Sequence, residues 1–112
     1  SPLARGLLTG KYIGHKIPDG SRLSRDDKIK KIVNSKSDIA VRDYFGLAKR
    51  YDIDPIHMAL AFCKDRPFMG SVIFGATDII QLRRIIKGLD LSLSEEINNE
   101  IKKLYKKHPL TF

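Results

Sequence analysis

The most constraining feature of the sequence is the stretch over residues 71–91, SVIFGATDIIQLRRIIKGLDL. A short apolar run over 71–74 predicts a strand, and a Gly-Ala-Thr turn over 75–77 separates it from a helical pattern. Apolar residues at i, i+3, i+4 and i+7 indicate one buried helix face: Leu82, Ile85, Ile86 and Leu89. Most units of this kind simply build an α/β fold. The order also places backbone N–H groups of a helix N-terminus just beyond a strand end, where phosphates bind.

Helical patterns fill most of the remaining chain. We expect a short helix over 27–33, a helix over 38–51, a nearly all-apolar helix over 56–64 that Asp54 and Pro55 begin, and a last helix that Ser94 begins. Because a lone strand cannot satisfy its own backbone edges, the pattern predicts part of a larger parallel sheet or barrel. The expected fold class is α/β, mostly helical with one or two short parallel strands, as a single partial domain over residues 1–112.

Charge and composition restrict the function classes without selecting one. The net charge of +8 is compatible with nucleic acid, anionic lipid or a phosphorylated ligand, but the basic residues are scattered, which favours solvated surface. No apolar run approaches the roughly 20 residues of a membrane span, and the N-terminus lacks the apolar core of a signal peptide. The single cysteine, Cys63, excludes an internal disulfide and suits a reducing compartment. We therefore expect a cytoplasmic protein with no membrane partner.

Two binding motifs are present only in outline. Gly6 and Gly10 before Lys11 resemble a phosphate loop, but the required four-residue spacing and the following Ser or Thr are missing. The helices over 40–51 and 55–64 have helix-turn-helix spacing, yet the second offers mostly apolar side chains to a base edge. Two packed core helices are therefore the favoured interpretation of that pair.

The chain offers no evident metal or nucleophile site. The three histidines, His15, His57 and His108, lack partners at metal-ligand spacing, so no metal is expected. Cys63 lies on an apolar helix, which favours a buried inert thiol over a nucleophile. Neither a Ser/His/Asp set nor a carboxylate pair can be assigned.

Three segments, taken together and in this order, resemble the aldo-keto reductase family, in particular its Tas-like members. SPLARGLLTGKY at 1–12 is similar to the family's loop after the seventh strand, and DPIHMALAFCKDRPF at 54–68 to the helix that follows it. SVIFGATDIIQLRRIIKGLDLSLSEEI at 71–97 resembles the eighth strand, its cofactor loop and the last barrel helix. Gly20-Ser21-Arg22-Leu23 also fits a corresponding loop, whereas the rest of 13–38 matches weakly.

The resemblance implies a (β/α)₈ barrel that carries NADPH at the C-terminal ends of its strands, the face on which such barrels bind ligands. It implies that Ser1, Leu3 and the backbone of the Gly6 loop contact the nicotinamide side and the pyrophosphate. It further implies that four residues surround the adenosine 2′-phosphate: Gly75, Ala76, Thr77 and Gln81. Small residues, a hydroxyl and helix N–H groups suit an anion there.

The chain departs from the family pattern at the adenine edge. The Glu and Asn with which family members bind adenine are replaced by Arg84 and Ile85, which can accept no hydrogen bond through their side chains. The sequence leaves two alternatives open. Either Arg83 or Arg84 reaches the 2′-phosphate, or both arginines are solvated on the outer face of the helix.

The resemblance assigns no catalytic residue to this chain, because the family's catalytic Asp, Tyr, Lys and His lie on earlier strands. A whole barrel takes roughly 250 residues. We therefore expect the C-terminal, cofactor-binding part of an NADPH-dependent enzyme that reduces a carbonyl substrate, inactive alone. The alternatives are a decayed remnant, a split-gene product that pairs with a separate N-terminal half and, with less support, a basic helical nucleic-acid binder.

Overall fold

The computed structural model describes residues 1–109 and 111–112, and over these residues the chain is predominantly helical. The α-helices are α1 Asp27–Lys30, α2 Ser35–Arg50, α3 Pro55–Lys64, α4 Ile79–Lys87 and α5 Glu95–Lys107. Short 3₁₀ segments, Ala4–Thr9, Ile13–His15 and Arg22–Arg25, form the N-terminal region. The predicted helices are therefore confirmed, with the first of them shortened to a single turn.

Each longer helix begins at a side chain that accepts a backbone N–H of its first turn. Asp54 caps α3 and Ser94 caps α5, as the sequence predicts. Helix α2 begins earlier than predicted because Asn34 and Ser37 form a reciprocal capping box. Helix α4 begins at Asp78, whose carboxylate accepts the Gln81 amide at 2.8 Å.

The predicted strand over 71–74 is not observed. Residues 71–76 have no regular secondary structure, and no strand occurs elsewhere in the described residues. A strand is stable only when its N–H and C=O groups pair with a neighbour, and here the side chain of Ile73 is 86% exposed. The apolar run therefore has the sequence pattern of a strand but lacks a neighbouring strand with which to pair.

Helix α3 lies at the centre of the packing. Its Met58 joins a core cluster with residues of α2 and α5, Leu47, Ala48, Ile97 and Ile101. Its Ile56 and Leu60 form a second cluster with Ile85 of α4. Burial of α3 was expected from its apolar composition and is confirmed.

A third cluster holds the N-terminal region against α2. It consists of Leu7, Tyr12, Leu23 and Val41. Gly10 allows this close approach, because it has φ +82° and a Cβ there would lie 2.6 Å from the Phe45 ring. The N-terminal loop also contacts α3 and α4, since Leu3 packs against the cluster of Ile56, Leu60 and Ile85.

Charged side chains join α2 to α5. Asp43 of α2 accepts a hydrogen bond from Lys107 Nζ at 2.8 Å and lies 2.7 Å from His108 Nε2. At the C-terminal end of α2, Arg50 pairs with Glu100 of α5 at 3.1 Å.

Helix α4 is only half covered. Ile85 is buried, but Ile86 and Leu89 of the predicted apolar face are 52% and 44% exposed. Helix α4 and the segment before it also carry several exposed apolar side chains. We call this set the apolar edge: Phe68, Ile73, Phe74, Ile79 and Ile80.

Candidate functional site

One groove of about 870 Å³ separates the N-terminal loop from the loop that leads into α4. Every residue that the resemblance assigns to the cofactor lines it: Ser1, Leu3, Gly6, Gly75, Ala76, Thr77 and Gln81. These residues come from two segments that are far apart in the sequence, residues 1–6 and 75–81. Packing of α3 against both segments, through Ile56 and its neighbours, brings them together.

The N-terminal wall of the groove is a tight and unusual turn. Ala4, Arg5 and Gly6 all have left-handed backbone, with φ of +48°, +58° and +97°. Non-glycine residues rarely adopt this conformation, and consecutive ones persist only where surrounding contacts hold them. Here the Gly6 amide donates to the Leu3 carbonyl at 2.8 Å, and the Thr9 hydroxyl donates to the Gly6 carbonyl at 2.7 Å.

The opposite wall is the capped N-terminus of α4. Both Asp78 carboxylate oxygens accept from Gln81, one from its backbone amide at 2.8 Å and one from its side-chain amide at 2.7 Å. The Gln81 side-chain oxygen in turn accepts from the amide and the hydroxyl of Thr77, each at 3.2 Å. The hydroxyl and the helix N–H that the sequence suggests for an anion are thus occupied by neighbouring side chains.

The side chain of Arg84 is paired within the fold. Its guanidinium forms a two-pronged pair with Asp54, with Nε to Oδ2 at 2.7 Å and Nη2 to Oδ1 at 3.0 Å. Asp54 is also the cap of α3, so this one carboxylate connects α3 to α4. Burial tends to raise the pKa of Asp54, but the hydrogen bonds from Arg84 and from the Ile56 amide outweigh it and lower that pKa.

Ile85 and His57 complete the contact between the two helices. The Ile85 side chain is 3% exposed and packs with Ile56 and Leu60. His57 Nε2 donates to the Arg84 carbonyl at 2.6 Å, since a carbonyl can only accept. Arg84 and Ile85 therefore hold α4 onto α3.

The groove also contains basic side chains that the sequence analysis did not single out for a site. Lys11, Arg22 and Arg25 line it, with Arg5 from the strained turn. The available signal was the position of Lys11 after Gly10 and of Arg22 within the matched loop Gly20-Ser21-Arg22-Leu23. Basic residues that are scattered along the sequence thus gather in the N-terminal part of the groove lining, which we call the basic wall and which also includes Asp19.

The two walls differ in their fit to a phosphorylated dinucleotide. The basic wall suits a diphosphate, for which Lys and Arg are ordinary ligands. The α4 wall does not fit a 2′-phosphate and an adenine edge in the way that the resemblance implies. The amide and hydroxyl of Thr77 are paired with Gln81, Arg84 is bound to Asp54, and the wall presents the carboxylate of Asp78.

Other chemistry receives little support from the geometry. Among residues 1–109 and 111–112, no three His, Cys, Asp or Glu side chains are grouped as a metal would require. Burial raises the pKa of the half-buried Cys63 thiol, which disfavours the reactive thiolate. No helix in the described part of the chain has the length and apolar character needed to cross a membrane.

Comparisons with known proteins agree with the sequence resemblance. The model of the "Aldo/keto reductase family" matches residues 1–106. The chain is 37% identical over 105 residues to Protein tas of Escherichia coli K12, a match that covers 94% of this chain and 30% of that protein.

Two further relatives show the same pattern of coverage. Identity is 33% to an aldo-keto reductase of Babesia bovis, over 94% of this chain and 39% of the relative. It is also 33% to a probable voltage-gated potassium channel subunit beta of Oryza sativa subsp. japonica, over 97% of this chain and 35% of that protein. The chain thus spans about a third of the length of the relatives that it matches. Because a family model covers nearly the whole chain, the chain belongs to the aldo/keto reductase family.

Proposed function

We propose that this chain is the dinucleotide-binding part of an aldo/keto reductase barrel, corresponding to the region from the seventh strand to the C-terminal helix. Members of the family generally use NADP(H), and NADPH is the form that the resemblance implies. The observation that carries the proposal is the groove in which residues 1–6 and 75–81 meet. In the whole protein, bound reduced nicotinamide supplies hydride to an aldehyde or ketone.

Within that proposal, the basic wall binds the diphosphate. Lys11 and Arg22 supply positive charge, and the strained turn at Gly6 allows the backbone to approach the ligand. Ser1 and Leu3 lie beside the nicotinamide half, and Gly75, Ala76, Thr77 and Gln81 beside the adenosine ribose. No catalytic role is assigned to a residue of this chain.

The apolar edge supports a partial barrel as the domain. Phe68, Ile73 and Ile80 are 82%, 86% and 77% exposed, far more than side chains of this size usually are in a self-contained domain. In a complete barrel, the run over 71–74 pairs with strands on both sides, and this apolar surface is covered. The proposed complement is the remaining part of a reductase barrel, either in the same polypeptide or as a separate N-terminal half.

Titration of the chain with reduced dinucleotide tests the proposal. We expect saturable binding, observed by calorimetry or by nicotinamide fluorescence. Replacement of both Lys11 and Arg22 by alanine is expected to weaken it at least about tenfold, because each charge-assisted contact contributes about 1.5–3 kcal/mol. Lys106→Ala on α5, away from the groove, is the matched control.

Binding that is absent, or that the double variant leaves unchanged, would contradict the proposal and favour a remnant without activity. Reductase turnover by the chain alone with NADPH and a simple aldehyde is expected to stay at the blank level. Turnover well above the blank would refute the assignment of chemistry to the rest of the barrel.

The nucleic-acid alternative has less support. Its recognition helix would be α3, which buries Ile56, Met58, Leu60 and Ala61. Salt-sensitive binding to duplex DNA would favour it over the reductase assignment.

A further inference from the structure

The α4 wall of the groove carries an unbalanced negative charge. Asp78 lines the groove, and within the described residues no Lys, Arg or His forms an ion pair with it. The arginine of the same wall, Arg84, is bound by both of its prongs to Asp54. Arg83 is exposed and does not line the groove.

Several hydrogen-bond donors beside that carboxylate are used within the wall itself. Thr77 donates both its amide and its hydroxyl to Gln81, and Gln81 donates its backbone N–H and one side-chain N–H to Asp78. An ionised carboxylate has about four acceptor positions, so Asp78 retains capacity to accept a further hydrogen bond. The wall therefore offers a ligand an acceptor with negative charge, and the Thr77 amide and hydroxyl beside it are already engaged.

This chemistry distinguishes a hydroxyl from a phosphate. A ribose 2′-hydroxyl can donate to Asp78, whereas a 2′-phosphate carries nearly two negative charges near pH 7 and would lie against a like charge. The helix N-terminus would attract an anion, but Asp78 already occupies that position as the cap. In other dinucleotide sites a carboxylate bound to the ribose 2′-hydroxyl accompanies the non-phosphorylated cofactor.

We propose that Asp78 makes this groove select a free ribose 2′-hydroxyl over a 2′-phosphate, so that the chain binds NADH in preference to NADPH. This inference rests on the proposed function, in which the groove binds a nicotinamide dinucleotide. It differs from the family's general use of NADP(H) because of two pairings in this chain, Asp78 with Gln81 and Asp54 with Arg84.

Parallel titrations of the chain with NADH and NADPH test the inference, since the two ligands differ only at the 2′ position. We expect NADH to bind at least about fivefold more tightly, with a ratio that narrows as salt screens the repulsion. Asp78→Asn keeps an N-cap acceptor and removes the charge, so NADPH affinity is expected to rise about tenfold in that variant. Asp90→Asn, an exposed charge outside the groove, is the control and is expected to change neither affinity.

Tighter binding of NADPH than of NADH to the unmodified chain would overturn the inference and leave the proposed function standing. An Asp78→Asn variant with an unchanged NADH-to-NADPH ratio would also overturn it. Failure of both ligands to bind would refute the proposed function and, with it, this inference.

Discussion

At the scale of single residues, the pair between Asp54 and Arg84 connects the start of α3 to α4. The two side chains are 30 residues apart in sequence and half to three-quarters buried, at 24% and 48% exposure. Arg84→Ala is expected to lower the free energy of unfolding by about 0.5–1 kcal/mol, because partial solvent exposure limits the strength of an ion pair. Urea unfolding followed by circular dichroism measures the loss.

A double-mutant cycle separates the pair from the helix cap. Asp54→Ala removes both the pair and the α3 cap, so it is expected to cost about 1–2 kcal/mol. The same Arg84 substitution in the Asp54→Ala background should then cost close to nothing. Arg83→Ala, one position away and exposed, is the matched control. Equal costs for Arg84→Ala in both backgrounds would contradict the pairing.

The sequence predicts several of the residues that line the groove but few of the hydrogen bonds and ion pairs among them. The family resemblance implies cofactor roles for Gly75, Ala76, Thr77, Gln81 and the loop at Gly6, and all of these residues line one groove. The partner of Arg84 could not be identified in this way, because it depends on how α3 and α4 pack. The occupied donors of Thr77 were missed for a related reason, since a small-residue turn before a helix does not reveal which side chain caps it.

At the scale of helices, the link between α2 and α5 depends on pH. Hydrogen bonds from Lys107 and His108 hold the pKa of Asp43 below its ordinary value of 3.8, against a smaller effect of burial. A carboxyl whose pKa is lowered in the folded state stabilises that state above its ordinary pKa, and the contribution is lost as the pH falls through the lowered value. The α2–α5 link is therefore expected to weaken below about pH 4.

Asp43→Asn tests this expectation. At pH 7 the variant is expected to unfold at lower urea, with a loss of at most about 1 kcal/mol because the Lys107 side chain is 63% exposed. The difference from the unmodified chain should shrink as the pH approaches 3. Asp90→Asn serves as the charge-matched control. A deficit of equal size at pH 3 and pH 7 would show that the carboxylate charge is not the source.

The helices were predicted well because their sequence signals are local. The predicted strand was not observed because the stability of a strand depends on contacts with a distant part of the chain. Caps such as Asp54 and Ser94 and the apolar spacing of α2 lie within one turn of the residues that they organise. The run over 71–74 needs a hydrogen-bonding neighbour, and none lies in the described part of the chain. The half-covered face of α4 has the same origin, since Ile86 and Leu89 are patterned for a surface that packs against them.

At the scale of the whole molecule, the apolar edge determines how the chain behaves in solution. Ile73 and Ile80 are 86% and 77% exposed, so they contribute little to the stability of the isolated chain. Exposed apolar patches of this kind bind hydrophobic dyes and promote association between molecules. Replacement of both residues by serine is therefore expected to change the free energy of unfolding by less than about 0.5 kcal/mol while reducing dye binding and self-association.

Dye fluorescence and sedimentation of the double variant Ile73→Ser/Ile80→Ser test this prediction. The matched control is Ile85→Ser, which introduces the same hydroxyl at a site that is 3% exposed and is expected to destabilise the chain by about 2–5 kcal/mol. The difference in stability between the two variants follows from the partial-barrel proposal. In that proposal Ile73 and Ile80 face the remaining part of the barrel, whereas Ile85 faces α3. If the double variant were instead as destabilised as Ile85→Ser, the apolar edge would belong to the core of this chain, and a complementary barrel part would not be needed to cover it.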